Sequence, residues 1–133
     1  MTSVTEAEWI LKTMAAMAAA DGRLDAREVR LIQEVYEEQT GLPVDVSGVM
    51  TAVQTYAKRD VFEDLSTVAG GLSPEAKGAI IRGACLTLVA NEHISESERK
   101  KLEAIGAALG ISEEQLKSVL DQACEDLPKL SDL

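Results

Sequence analysis

The sequence predicts an all-α protein, a compact bundle of about seven helices built from two pseudo-symmetric helical repeats. Three observations carry that expectation. Apolar residues recur at helical spacing along nearly the whole chain, and strand-like alternation is almost absent. Helix-opening signals of the S/T/D-x-x-E/Q type recur and are answered by glycines that stop the helices. Composition is the third: 46% of the 133 residues are apolar but only 3% are aromatic, so the core must be built from closely packed small aliphatic side chains. A chain of this length makes one domain, residues 1–133, with a single core.

Thr5-x-x-Glu8 reads as a capping box opening a first helix that runs to about Ala20. Its second half, Met14 to Ala20, is entirely Met and Ala, and a helix apolar all round belongs at the centre of a bundle. After the turn Asp21-Gly22-Arg23-Leu24, Asp25-x-x-Glu28 opens a second helix with Val29, Ile32, Val35 and Tyr36 on one face. Gly41 ends it in the left-handed conformation that glycine adopts without strain. A third helix follows Pro43, with Val46, Val49, Met50, Val53 and Ala57 expected to face inward. Val61, Phe62, Leu65, Val68 and Ala69 make a short fourth.

Gly70-Gly71-Leu72-Ser73-Pro74 is the strongest break, with Ser73 as an N-cap and proline at the first helical position. The fifth helix, from Pro74 to about Ala90, is nearly apolar, with Arg82 and Thr87 as exceptions in its second half. Ser95-x-x-Glu98 opens a sixth, with Leu102, Ile105 and Leu109 inward and Gly110 as its stop. Ser112-x-x-Gln115 opens the last, carrying Leu116, Val119, Leu120, Ala123 and Leu127 on one face.

A shift of 70 residues aligns the halves, about 3–69 with 73–127. Ile10 falls on Ile80, Lys12 on Arg82, Ala20 on Ala90, Asp21 on Asn91, Asp25 on Ser95 and Glu28 on Glu98. Each half runs apolar helix, polar turn, capped amphipathic helix, glycine stop, further helix. The expected arrangement is two helical hairpins whose apolar helices cross at the centre.

Charge excludes several functions. With 23 acidic and 13 basic side chains the net charge is −10, a field that repels nucleic acid, and the few aromatics give no base-stacking platform. No apolar run approaches the length that spans a bilayer, and the N-terminus lacks the features of a signal peptide, so the expected compartment is the cytoplasm. Cys85 and Cys124 form no CxxC pair and lie among apolar neighbours, which predicts two buried, reduced thiols. The lone His93 and two cysteines do not make a tetrahedral zinc set, and no GxSxG, Walker A or GxGxxG sequence is present. The expectation is a protein that is not an enzyme.

Two acidic turns remain, Asp21–Glu28 and Asn91–Glu98. Asp25 or Ser95 with the glutamate three residues on is an ordinary capping box that requires no ligand, worth about 1 kcal/mol. Asp21 is different: it sits at a helix C-terminus, where the dipole disfavours negative charge. One carboxylate at that end and two at the start of the next helix favour a cation. Carboxylates about 5 Å apart repel by roughly 3 kcal/mol per pair at an effective dielectric of about 20. All-oxygen ligands favour Ca²⁺ or Mg²⁺ over Zn²⁺.

The stretch Ala18-Ala-Ala-Asp-Gly-Arg-Leu-Asp-Ala-Arg-Glu28 after a small-residue helix, echoed by Val89-Ala-Asn-Glu-His-Ile-Ser-Glu-Ser-Glu98, resembles the tellurite-resistance TerB-like family. The resemblance spans essentially the whole chain in helix order and repeat spacing. It implies an all-helical module of bacterial stress and metal-resistance systems whose acidic turns chelate a divalent metal. Carried over by position, it implicates Asp21, Glu28 and Glu98 most directly, with Asp25 and Glu92 beside them. Asn91 stands where the family has an aspartate and offers only a neutral carbonyl oxygen, so the second half-site should hold a cation more weakly unless Glu92 compensates. The alternative expectation is an acidic interaction or adaptor domain whose partner is a basic protein or a membrane-associated complex, without membrane insertion. Glu34, Glu37, Glu38, Glu113, Glu114 and Glu125 would then steer association, and the turn carboxylates would be only helix caps. A third is a scaffold that takes no ligand.

Overall fold

Two helices of 17 residues each, α1 (Val4–Ala20) and α5 (Pro74–Ala90), form the centre of the computed structural model, which describes residues 4–20, 26–90 and 96–129. Every residue from Thr13 to Ala18 of α1 is buried, as is every residue from Ala79 to Leu88 of α5 except Arg82. Helices this uniformly apolar gain most when covered on all sides, and complete burial of a Met, Leu or Ile side chain stabilises by about 1.5–3 kcal/mol. The two pack on each other more extensively than does any other pair of elements.

The amphipathic helices surround them. α2 (Ala26–Thr40) packs on both central helices, α3 (Val46–Tyr56) on α1 and α2, and α4 (Val61–Val68) on α6 and α1. A 3₁₀ turn, Ala69–Gly71, leads into α5; α6 (Glu96–Ala108) and α7 (Glu113–Asp126) then pack on α5, and a second 3₁₀ turn spans Leu127–Lys129. All seven α-helices are present, and no strand occurs among the described residues.

Boundaries follow local chemistry. Gly41 and Gly110 both have φ of +73°. At Gly110 the Ile111 N–H donates to Gly106 O (2.9 Å) and the Gly110 N–H to Ala107 O (3.1 Å), the paired bonds of a Schellman stop. Ser112 and Gln115 form a reciprocal capping box at the start of α7. The Ser73 hydroxyl accepts the Ala76 N–H (3.1 Å), and the Ser73 N–H donates to Glu6 Oε2 (2.8 Å), tying the starts of α1 and α5 together. Asp45 and Asp60 cap α3 and α4 through the N–H groups of Gly48 and Phe62.

Two expectations need correction. On α3, Val49 and Tyr56 are buried and Val53 packs against the core, whereas Val46, Met50 and Ala57 are exposed. Only α1 and α2 cover this helix substantially, so one narrow stripe is enclosed and the neighbouring apolar positions stay outside. On α4, Val61 and Leu65 take the inner positions and Phe62 is exposed. Cys124 is also exposed; Ala123 occupies the inward position of that turn of α7, and only Cys85 is a buried thiol.

Arg82 is the one polar break in the buried run of α5. Its Nη1 lies 2.7 Å from Glu38 Oε1 and its Nη2 3.6 Å from Asp126 Oδ2, joining α5 to the ends of α2 and α7. The closer contact is off-axis for a hydrogen bond and acts as an ion pair. All three groups keep partial solvent access, which limits each pair to about 1 kcal/mol or less.

Candidate metal centre

The site expected from sequence lies where α1 hands over to α2 and α5 to α6. Asp21, Asp25, Asn91 and Glu92 fall outside the described residues, as do His93 and the capping residue Ser95. Glu28 and Glu98 are described, each the third residue of its helix. A carboxylate in the first turn is stabilised by the exposed N–H groups and dipole of the helix start.

The two glutamates also share a register. Four and seven residues beyond Glu98 stand Leu102 and Ile105, both buried; at the same spacing beyond Glu28 stand Ile32 and Val35, both buried. Each carboxylate therefore continues the core-facing stripe of its helix into the first turn. Glu98 is only 4% exposed and is the only buried carboxylate among the described residues; Glu28 is half-buried. Both are engaged by neighbouring groups. One turn along α6 from Glu98, Lys101 Nζ donates to Ala16 O of α1 (3.4 Å), placing this part of α6 against the C-terminal half of the central helix.

Carboxylate oxygens on a core-facing stripe are hard, anionic donors suited to Ca²⁺ or Mg²⁺. With the amide oxygen of Asn91, the sequence-expected set is entirely oxygen, so its chemistry fits such an ion. Among the described residues alone, no group of three or more His, Cys, Asp or Glu side chains is placed to hold a metal. Thiolate ligation is disfavoured at Cys85: burial, reinforced by Cys124, pushes its thiol up to about 12.

Two features escape a reading of the sequence. The burial of Glu98 is signalled by its spacing to Leu102, Ile105 and Leu109, but the capping-box pattern directs attention to the helix end instead of its face. The Arg82 ion pairs have no local signal, because Glu38 and Asp126 are distant in sequence.

Fold and register define a class: an all-helical module with a small-residue helix pair at its centre and inward-facing glutamates at the starts of two flanking helices. The family model described as tellurite resistance protein TerB matches residues 7–121, most of the chain. The chain belongs to the TerB family. No curated protein and no solved structure matches it significantly.

Proposed function

We propose that this chain is a non-enzymatic TerB-family module of bacterial stress or tellurite-resistance type. It binds a divalent cation, Ca²⁺ or Mg²⁺, through Asp21, Asp25, Glu28, Asn91, Glu92 and Glu98. The observation that carries the reading is Glu98, a carboxylate 4% exposed in the first turn of α6 and on its core-facing stripe. Helix capping alone needs no such burial, since a capping glutamate works at the surface. A carboxylate removed from water needs compensation; neighbouring groups already engage Glu98, and a bound cation would add to theirs. The proposed compartment is the cytoplasm, where the free, buried Cys85 stays reduced.

Titration calorimetry with Ca²⁺, Mg²⁺ and Mn²⁺ tests the proposal. Binding with a Kd of about 1 mM or tighter is expected for at least one ion. It should be lost or strongly weakened in Asp21→Asn and Glu28→Gln. Absence of heat at millimolar ion, or binding retained by both variants, overturns it.

A further inference from the structure

Of the seven described α-helices of this acidic protein, α3 alone contains no charged residue. Its outer face presents Val46, 54% exposed, and Met50, 39% exposed, one helical turn apart, and Leu42, 47% exposed, precedes them by a further four residues. Isolated exposed aliphatics are ordinary on protein surfaces, but Val46 and Met50 share one face of α3, and a third exposed aliphatic, Leu42, lies in the non-helical segment just before it. Along the chain the charge here has one sign: from Leu31 to Ala57 there is no Lys, Arg or His, but there are Glu34, Glu37, Glu38 and Asp45. Arg82 offsets Glu38, which leaves Glu34, Glu37 and Asp45 as the other carboxylates of this segment, with exposed Asp45 directly beside Val46. Basic residues resume only beyond Ala57, with exposed Lys58 and with Arg59, which is paired with Asp64 at 2.9 Å.

We infer that the Val46–Met50 face of α3, with Leu42 in the segment leading into it, docks a protein partner through a basic amphipathic helix, its apolar stripe on these residues and its Lys or Arg residues against Glu34, Glu37 and Asp45. Charge selects this occupant. A second copy would bring the same carboxylates and the same net charge of −10 against themselves. An anionic lipid surface would be repelled for the same reason. The residues of this α3 face are not among those of the proposed ion site, and docking on it requires no bound ion.

The probe is a fluorescein-labelled synthetic helix of about 18 residues with a Leu stripe flanked by Lys, titrated with the full chain in EDTA and again with Ca²⁺. Two comparison peptides carry Glu in place of the flanking Lys, or Ser in place of the Leu stripe. The Lys/Leu peptide should bind with and without Ca²⁺, and both comparison peptides should fail. The double variant Val46→Ser/Met50→Ser, both side chains being exposed, should keep its helicity and lose about tenfold or more in affinity, about 1.4 kcal/mol. Glu113→Gln/Glu114→Gln on α7 should change it less than about twofold. Equal weakening by both double variants, or none by Val46→Ser/Met50→Ser, overturns the proposal. So does a wild-type dimer that Val46→Ser/Met50→Ser dissociates in sedimentation, or capture of the chain by phosphatidylserine vesicles that this variant abolishes. Peptide binding that appears only with Ca²⁺ ties the surface to the ion and overturns its independence.

Discussion

Gly83 of α5 meets Met14 of α1 so closely that a Cβ on the glycine would lie 2.9 Å from Met14 Cγ and 3.0 Å from its Sδ. Met14 is fully buried and cannot swing into solvent. The gain in helix propensity from Gly83→Ala, about 1 kcal/mol, is thus set against overpacking of about 1–3 kcal/mol. Denaturant unfolding should show net destabilisation by Gly83→Ala. The penalty should shrink or reverse in a Met14→Ala background, where the space is vacated, and that coupling identifies the contact as the cause.

The two thiols should react differently. Cys124 is exposed, whereas Cys85 is buried with its thiol pushed up to about 12. A thiol-specific reagent at neutral pH should label one cysteine in the native protein and both in denaturant. Mass mapping should place the native label on Cys124, and rapid labelling of Cys85 would contradict its enclosure.

Alkaline stability follows from the same group. The folded state holds the Cys85 proton up to about 12, whereas an unfolded thiol releases it near 9.0. The unfolded state binds fewer protons in that window, so this contribution is full below pH 9 and declines as pH rises towards 12. The limiting slope is about 1.4 kcal/mol per pH unit. Urea unfolding between pH 8 and 11 should lose stability more steeply in the wild type than in Cys85→Ala.

Gly70 and Gly110 should separate backbone strain from simple propensity. Gly110 has φ of +73°, whereas Gly70 does not have positive φ, and a methyl group on it would meet no other side chain or distant backbone within 4 Å. Gly110→Ala should cost about 1–2 kcal/mol, and Gly70→Ala should be neutral or stabilise by up to about 1 kcal/mol. Paired thermal melts check both.

Ion binding through the proposed carboxylates must raise the melting temperature by mass action. At about 100 times Kd the expected gain is about 2.7 kcal/mol. Glu98→Gln should abolish the response to added ion and to chelator, whereas Glu96→Gln, exposed two residues earlier on α6, should retain it.

Much of the fold was legible because its signals are local. The glycine stops at Gly41 and Gly110, the Ser112 capping box and the apolar runs of α1 and α5 each act within a few residues. The misread positions depended on what covers a helix. Val46 and Met50 have the same spacing as buried residues, and only the lack of substantial cover beyond α1 and α2 leaves them outside. Cys124 differs from Ala123 by one position around α7, a rotation that periodicity alone resolves poorly. For the candidate site, the sequence marked Glu28 and Glu98 through the repeated turns. The burial of Glu98 depends on its alignment with Leu102 and Ile105 and on the approach of α6 to α1 near Lys101.

The central position of α1 also has a temporal consequence. This helix leaves the ribosome before every segment that encloses it: α5 supplies its largest interface, and Lys101, which reaches Ala16 O, follows 85 residues later. At translation rates of about 5–20 residues per second, the Met- and Ala-rich segment waits roughly 4–17 s for its full set of neighbours. During that interval α2, α3 and α4 can cover it only in part, since its largest single interface is with α5. Vectorial synthesis therefore exposes the most apolar helix the longest, and slowing translation between α1 and α6 should increase the demand for chaperones that shield it.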